Sequence, residues 1–269
     1  MRRIATCLLA ALCLLAAAGG SAVARALPAP VACPGCWEPA QSMSWQWQLG
    51  GTVDTRVRVQ MYDIDMFEAT PALVARLHGL GRHVVCYIDA GGWERWRPDA
   101  GRFPKAAIGR PMQGWQGERW LDTRNRGVRR ELAWRIDRCS AKGFDGVEFD
   151  NVAGYQAPTG FHLTGADQLR FNVWLANQAH RAGLAVALKN DPDQVRTLEP
   201  YFDMELDEQC FQYSECGLLR PFIAAGKPVF EVEYGRLARS GSFCARAKAL
   251  GFESLRKHLA LGPWRIACG

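Results

Sequence analysis

Short apolar runs alternate along this chain with longer amphipathic stretches, and most of the runs close on a charged or amide residue. Residues 45–49, 59–64, 83–88, 145–150, 184–188, 202–206 and 228–232 read as buried strands. Stretches with apolar positions at helical spacing lie between them at 71–80, 127–142 and 167–182, with shorter ones starting at 192 and 218. Gly81 and Gly183 close two of the helices. A long loop rich in Trp, Arg and Pro is expected over 93–116, followed by a short strand at 120–122. Strands that alternate with helices imply a parallel sheet. With a polar residue at the end of nearly every strand, and no GxGxxG phosphate loop, the expected class is α/β, a single-domain (β/α)8 TIM-type barrel rather than an open doubly wound sheet.

In such a barrel the C-terminal strand ends face one pocket. Here they supply Asp63, Asp65, Asp89, Asp122, Asp150, Asn151, Lys189, Asn190, Asp191, Gln209, Glu208, Glu233 and Tyr234. Any one of them could instead cap a helix or close an Asx turn. Their number at one face is what points to chemistry. Two segments stand out. The run 144–149 ends in Asp150-Asn151, and about sixty residues later 201–206 runs into Asp207-Glu208-Gln209. Two carboxylates from non-adjacent strands suit the spacing that glycoside hydrolysis requires. Trp93, Trp96, Trp115, Trp120, Tyr155, Phe211, Tyr213 and Tyr234 fall in or beside the same loops and could stack on sugar rings or fill gaps beneath loops; for Trp115 and Trp120 gap filling is the expected role. Glu148 shares strand parity with Asp150, so it should point into the barrel as a buried structural carboxylate.

The N-terminus bears on location. Arg2 and Arg3 precede an apolar stretch over 4–18, too short for a membrane span, and Ala22-Val23-Ala24 and Ala24-Arg25-Ala26 both fit small-x-small cleavage. Residues 1–26 are expected to be a removed signal peptide, 27–43 an extended Pro-rich lead-in, and 44–269 the catalytic domain. Export would leave eight cysteines, an even number that favours disulfides in an oxidising compartment. Proximity suggests Cys210–Cys216 and Cys244–Cys268. Cys33-Pro-Gly-Cys36 lacks the strand–helix setting of a redox motif and a second CxxC for zinc. Losing Arg2 and Arg3, and Arg25 if cleavage follows it, lowers the formal charge of +6 to about +4 or +3. The basic residues are scattered rather than striped, which argues against nucleic acid as a partner. No cofactor and no metal site is expected, and the exported chain is expected to act as a monomer with no membrane partner.

The same segments carry a family resemblance. Trp45-Gln46-Trp47-Gln48-Leu49-Gly50-Gly51, Met61-Tyr62-Asp63-Ile64-Asp65, Val85-Cys86-Tyr87-Ile88-Asp89-Ala90-Gly91, Glu94-Arg95-Trp96-Arg97-Pro98-Asp99 and Trp120-Leu121-Asp122 begin the match. Asp150-Asn151-Val152, Thr159-Gly160-Phe161, Leu188-Lys189-Asn190-Asp191 and Glu208-Gln209-Cys210-Phe211 continue it in order. In these the chain resembles the endo-α-1,4-polygalactosaminidase family of glycoside hydrolases. The match runs from about 44 to 235 and leaves the tail 236–269 unplaced. Two positions depart from the family's pattern, Ala153 where an acidic residue is favoured and Asp207 where Asn is. The resemblance implies internal cleavage of α-1,4-linked galactosamine polymers of microbial exopolysaccharide and biofilm matrix.

The reading is a secreted or periplasmic endo-glycosidase with Asp150 and Glu208 as the catalytic carboxylates. By analogy with barrels that place the nucleophile two strands before the acid/base, Asp150 is the nucleophile and Glu208 the acid/base, with retention; the reverse assignment stays open. Asp63, Asp65, Asp89 and Asp122 would ring the site and favour a cationic sugar. Trp93, Asn151, Tyr155, Lys189, Asn190, Asp191, Gln209, Phe211, Tyr213, Glu233 and Tyr234 complete the expected substrate surface. One rival is a non-catalytic carbohydrate-binding or matrix protein on an inactive barrel, against which both carboxylates are present. Another is an esterase or deacetylase, for which the GxSxG elbow and metal-ligand His spacing are missing. Intact mass of exported protein, before and after reduction, should fit a chain starting near Arg25 or Leu27 with most cysteines bonded. A full-length mass or eight free thiols would contradict the export reading.

Overall fold

The computed structural model describes residues 26–268. In chain order the strands are β1 (Trp45–Gln48), β2 (Met61–Asp65), β3 (His83–Asp89), β4 (Gly92–Glu94), β5 (Ile108–Pro111), β6 (Glu118–Leu121), β7 (Gly146–Asp150), β8 (Ala185–Lys189), β9 (Met204–Glu208), β10 (Val229–Glu233), β11 (Glu253–Arg256) and β12 (Ile266–Ala267). The helices are α1 (Pro71–Gly79), α2 (Arg126–Ala141), α3 (Gly165–Arg181), α4 (Val195–Leu198), α5 (Cys210–Tyr213), α6 (Arg220–Ala224), α7 (Gly235–Ser240) and α8 (Cys244–Leu250). Strands β1, β2, β3, β7, β8, β9, β10 and β11 pair in that order, all parallel, and β12 adds antiparallel to β11. The sheet curls until β1 meets the β11 side. There the Trp45 indole N–H donates to the Glu253 carbonyl at 2.7 Å, and the Leu49 and Gly50 amides donate to Leu261 O. This is the expected (β/α)8 TIM-type barrel in one domain. The leader expected over 1–26 falls, apart from Ala26, outside the described residues; 26–44 contains neither helix nor strand.

Strand parity divides the apolar residues into two cores. Trp45, Trp47, Met61, Val85, Ala185, Ala187, Met204, Leu206, Phe230, Val232 and Leu255 fill the barrel. Their neighbours on the same strands, such as Val84, Val147, Phe149, Val186 and Leu188, pack outward against the helices. Helix α2 meets that layer with Val128, Leu132, Ile136 and Cys139, spaced to share one face. Helix α3 begins with a capping box, Thr164 and Asp167 satisfying each other's backbone N–H groups. Four disulfides close Cys33–Cys36, Cys86–Cys139, Cys210–Cys216 and Cys244–Cys268. Cys86–Cys139 ties α2 to β3. Among the described residues no helix is long and apolar enough to cross a membrane.

Two parts differ from the sequence reading. The long loop over 93–116 contains two 3-10 turns and the strands β4 and β5, and these join β6 in a small antiparallel sheet of order β4-β6-β5. Its strands are three or four residues long, too short for alternation to register. The unplaced tail supplies α7, α8, β11 and β12, and β11 is the eighth parallel strand.

The outer face of β9 and β10 is unusual for an apolar layer. Glu205, Asp207 and Glu231 are all buried there, and Glu205 and Glu231 have no hydrogen-bond partner for either carboxyl oxygen. Burial pushes all three up, Asp207 to about 8. Held neutral, a carboxylic acid presents a donor beside an acceptor, as a carboxamide does. A neutral Asp207 is thus a chemical stand-in for the Asn that the resemblance led us to expect there. Acids whose folded-state pKa is raised contribute stability fully below the ordinary carboxylate range and lose it as pH climbs through the folded value. The thermal midpoint should therefore fall between about pH 5 and about pH 8.5. Asp207→Asn should raise it at the alkaline end and change it little at the acid end. A midpoint indifferent to pH, measured by differential scanning calorimetry, would contradict this.

Candidate active site

Three successive parallel strands end in the same way. Strands β7, β8 and β9 finish at Asp150, Lys189 and Glu208, and each is followed by a residue in the left-handed region: Asn151 (φ 59°), Asn190 (φ 52°) and Gln209 (φ 68°). Asn tolerates this conformation better than most side chains, and such residues gather where a chain must turn abruptly. The turns hold three polar side chains at the barrel mouth. Neighbouring loops lock them: the Ala90 and Gly91 amides donate to Asp150 O, the Gln209 amide to Val232 O, and the Glu208 amide to Asn190 Oδ1 at 2.9 Å. At Gly91 a Cβ would sit 1.8 Å from Asn151 O, so only glycine lets the β3 and β7 ends approach this closely.

Lys189 stands at the centre. Its side chain is fully buried, and its Nζ donates to Glu208 Oε2 at 2.5 Å and lies 3.3 Å from Asp150 Oδ1. The two oxygens it holds are separated by no more than the sum of those distances, under about 6 Å. Tyr87 O–H donates to Asp150 Oδ2 at 2.8 Å and the Asn151 amide to Asp150 Oδ1 at 2.8 Å. Tyr234 O–H donates to Glu208 Oε1. Burial opposes the charge on Lys189, but Asp150, Glu208 and Glu148 outweigh it and raise its pKa well above the ordinary amine range. Below, the Trp47 ring centroid is 5.5 Å from Nζ, and its N–H donates to Glu148 Oε2 at 3.1 Å. Glu148 and Asp63 are fully buried beneath Lys189, and burial pushes both carboxyls up, with the charge of Asp63 adding to the rise at Glu148.

Above lies an open cleft of about 400 Å³ whose walls include Trp47, Asp65, Tyr87, Glu94, Trp96, Arg97, Trp115, Glu118, Asp150, Glu208 and Leu259–Leu261. It continues past Glu208 along Gln209, Gly114 and Trp115, again under Leu259 and Ala260. Trp96 and Trp115 are half exposed, at 53% and 50%. The small β4-β6-β5 sheet thus forms one wall and the loop after β11 another.

The expected site residues fall into three groups. Asp150, Glu208, Lys189, Asn190, Asn151 and Tyr234 come together at the mouth. Asp65 lines the cleft but is gripped by Arg97, which also holds Glu94. Asp63, Asp89 and Asp122 do not form the expected acidic ring with it. Asp63 is fully buried beneath the floor, near Glu148, and neither of its oxygens has a hydrogen-bond partner among the described residues. Asp89 is buried, accepting from the Gly92 amide and Asn151 Nδ2. Asp122 lies outside the barrel ladder, paired with Arg124 at 2.9 Å. Several others have structural partners outside the cleft. Trp93 donates to Ala100 O, and Tyr155 to Asp191, which is buried and also accepts from Asn172. Glu233 accepts the Phe211 and Gln212 amides, Phe211 packs on Phe243, and Tyr213 is exposed. Tyr87, Glu94, Arg97, Glu118 and Leu259–Leu261 were missed. Tyr87 shares the parity of Asp89 on β3, a signal that could have found it; the others depend on the inserted sheet and the tail.

A parallel barrel with two carboxylates across one cationic bridge, at the mouth of an aromatic-rimmed cleft, is the arrangement of a glycoside hydrolase. The chain belongs to glycoside-hydrolase family GH114, whose model matches residues 27–269. It is similar to Aspergillus fumigatus Ega3, solved in complex with galactosamine, at 35% identity and TM-score 0.83 over 86% of this chain and 97% of that one. It also shares its fold with the glycoside hydrolase domain of PelA from Pseudomonas aeruginosa, at 15% identity and TM-score 0.69 over 83% of this chain and 98% of that one. A comparison with curated proteins finds no match. Replacing Lys189 with Met should cost on the order of 3 kcal/mol at neutral pH, because two carboxylates are left facing each other. The loss should shrink in a background carrying Asp150→Asn, where one of the two facing charges is already gone. Denaturant midpoints in the two backgrounds measure it, and equal losses would argue against an electrostatic role.

Proposed function

We propose that this enzyme cuts α-1,4-linked galactosamine-containing polysaccharide internally, through Asp150 and Glu208. The observation that carries the reading is the pair of strand-end carboxylates held within reach of one glycosidic bond by Lys189. The two oxygens that Lys189 holds lie under about 6 Å apart, which suits the retaining spacing of roughly 5 to 5.5 Å. Three donors converge on Asp150, namely Lys189, Tyr87 and the Asn151 amide, which suits a nucleophile that must carry negative charge. Glu208 then serves as acid/base, first protonating the leaving oxygen and then activating water. The substrate class is supported by the likeness to Ega3, solved with galactosamine. Internal cleavage is supported by a cleft that is open past both carboxylates and flanked by Trp96 and Trp115. The leader and the four disulfides support action outside the cytoplasm, on exopolysaccharide or biofilm matrix.

The test uses partly deacetylated α-1,4-galactosaminoglycan with products followed by mass and by NMR. Oligomers should appear from the outset, with the α-anomer first. Asp150→Asn and Glu208→Gln, both nearly isosteric, should each lower turnover by several orders of magnitude with the melting temperature little changed. Near-full activity in either variant would remove that residue from its role, and initial β-anomer would replace retention with inversion.

A further inference from the structure

Besides the exposed Glu68, the cleft holds a half-buried carboxylate that neither Lys189 nor Arg97 engages. Asp65 and Glu94 are both engaged by Arg97, and Asp150 and Glu208 by Lys189. Glu118 faces the same space from β6, and among the described residues its side chain has no hydrogen-bond or ion-pair partner. It is half buried and sits in register opposite Glu94 of β4. The fold has therefore placed a half-buried carboxylate near Glu94 and Asp150 without an ion-pair partner of its own, since Arg97 is taken by Asp65 and Glu94. On the reading of this enzyme as a galactosaminidase, we infer that Glu118 is the specificity residue that pairs with the charged 2-amino group of a sugar bound in the cleft.

The electrostatics agree with this geometry. Burial, then Glu94 and Asp150, push the Glu118 carboxyl up to about 7, with Arg97 the opposing cation. An ammonium arriving at Glu118 would offset the repulsion from Glu94 and Asp150 and make the ionised form the stable one. Below neutrality, binding of a galactosamine unit must then release a proton from Glu118. An N-acetylated unit brings no charge and gains nothing from that exchange. Selectivity for deacetylated polymer would come from this residue and not from Asp63, which is buried beneath the floor, or from Asp89 and Asp122, whose partners are already in place.

Two measurements test it. The first is the ratio of kcat/KM for deacetylated over N-acetylated oligosaccharide, in the mature enzyme and in Glu118→Gln. The ratio should fall about tenfold, through a higher KM for the deacetylated substrate, and the wild-type KM for that substrate should drop between about pH 5 and about pH 7 while that of E118Q stays flat. The second is calorimetric titration of galactosamine oligosaccharide into Asp150→Asn at about pH 6 in buffers of different ionisation enthalpy. Proton release should be present there and absent in the double variant that adds Glu118→Gln. An unchanged ratio and unchanged proton release overturn the inference while leaving the galactosaminidase reading standing. Loss of kcat on both substrates overturns it in favour of a role in the chemistry. A wild-type enzyme that neither binds nor cleaves any galactosaminide overturns both.

Discussion

Everything at the barrel mouth depends on one buried ammonium group. Lys189 is cut off from water, which by itself favours the neutral amine, and it keeps its charge because Asp150 and Glu208 sit against it and Glu148 lies beneath. The dependence is mutual. Without the cation, two carboxylates at this separation would repel each other and relax apart. With it, they hold one spacing and one orientation, and Tyr87 and Tyr234 secure the outer oxygens. A bridge of this kind is weak evidence for stability but strong evidence for position, since any drift of either carboxylate exposes an uncompensated charge.

The rest of the barrel treats acids in a second way. Burial pushes up Asp63 and Glu148 under the site, and Glu205, Asp207, Glu231 and Glu233 on the outer face. Weakening the charge of these groups leaves Lys189 balanced first by the two mouth carboxylates, with Glu148 beneath as the lesser contributor. The field at the mouth is thus set by few charges. This explains how a chain with formal charge +6 can present an acidic cleft.

The cleft itself is built from parts outside the barrel repeat. The sheet β4-β6-β5 brings Glu94 and Glu118 to one wall, and Trp96 and Trp115 flank it. The loop after β11 brings Leu259–Leu261, anchored by the buried Lys257, whose Nζ donates to Gly262 O at 2.7 Å and Gln46 Oε1 at 3.2 Å. The repeat supplies the two carboxylates, as loops on a rigid barrel commonly supply selectivity.

Periodicity and strand-end chemistry were enough to read the parallel barrel, its order of strands and helices, and the two carboxylates at the ends of β7 and β9. These are local properties: parity along a strand decides which side a residue faces, and an apolar run closing on Asp-Asn or Glu-Gln marks its own end. Parity also placed Glu148 inside before any contact was known. What the sequence could not decide was which acids carry charge. Asp63, Asp65, Asp89, Asp122 and Glu118 look alike as letters. They differ because Arg97, Arg124, the Gly92 amide, Glu148 or nothing at all stands opposite, and those partners lie up to 85 residues away along the chain, as with Asp63 and Glu148. The charge of a carboxyl group is a property of its surroundings, and only the tertiary structure supplies them.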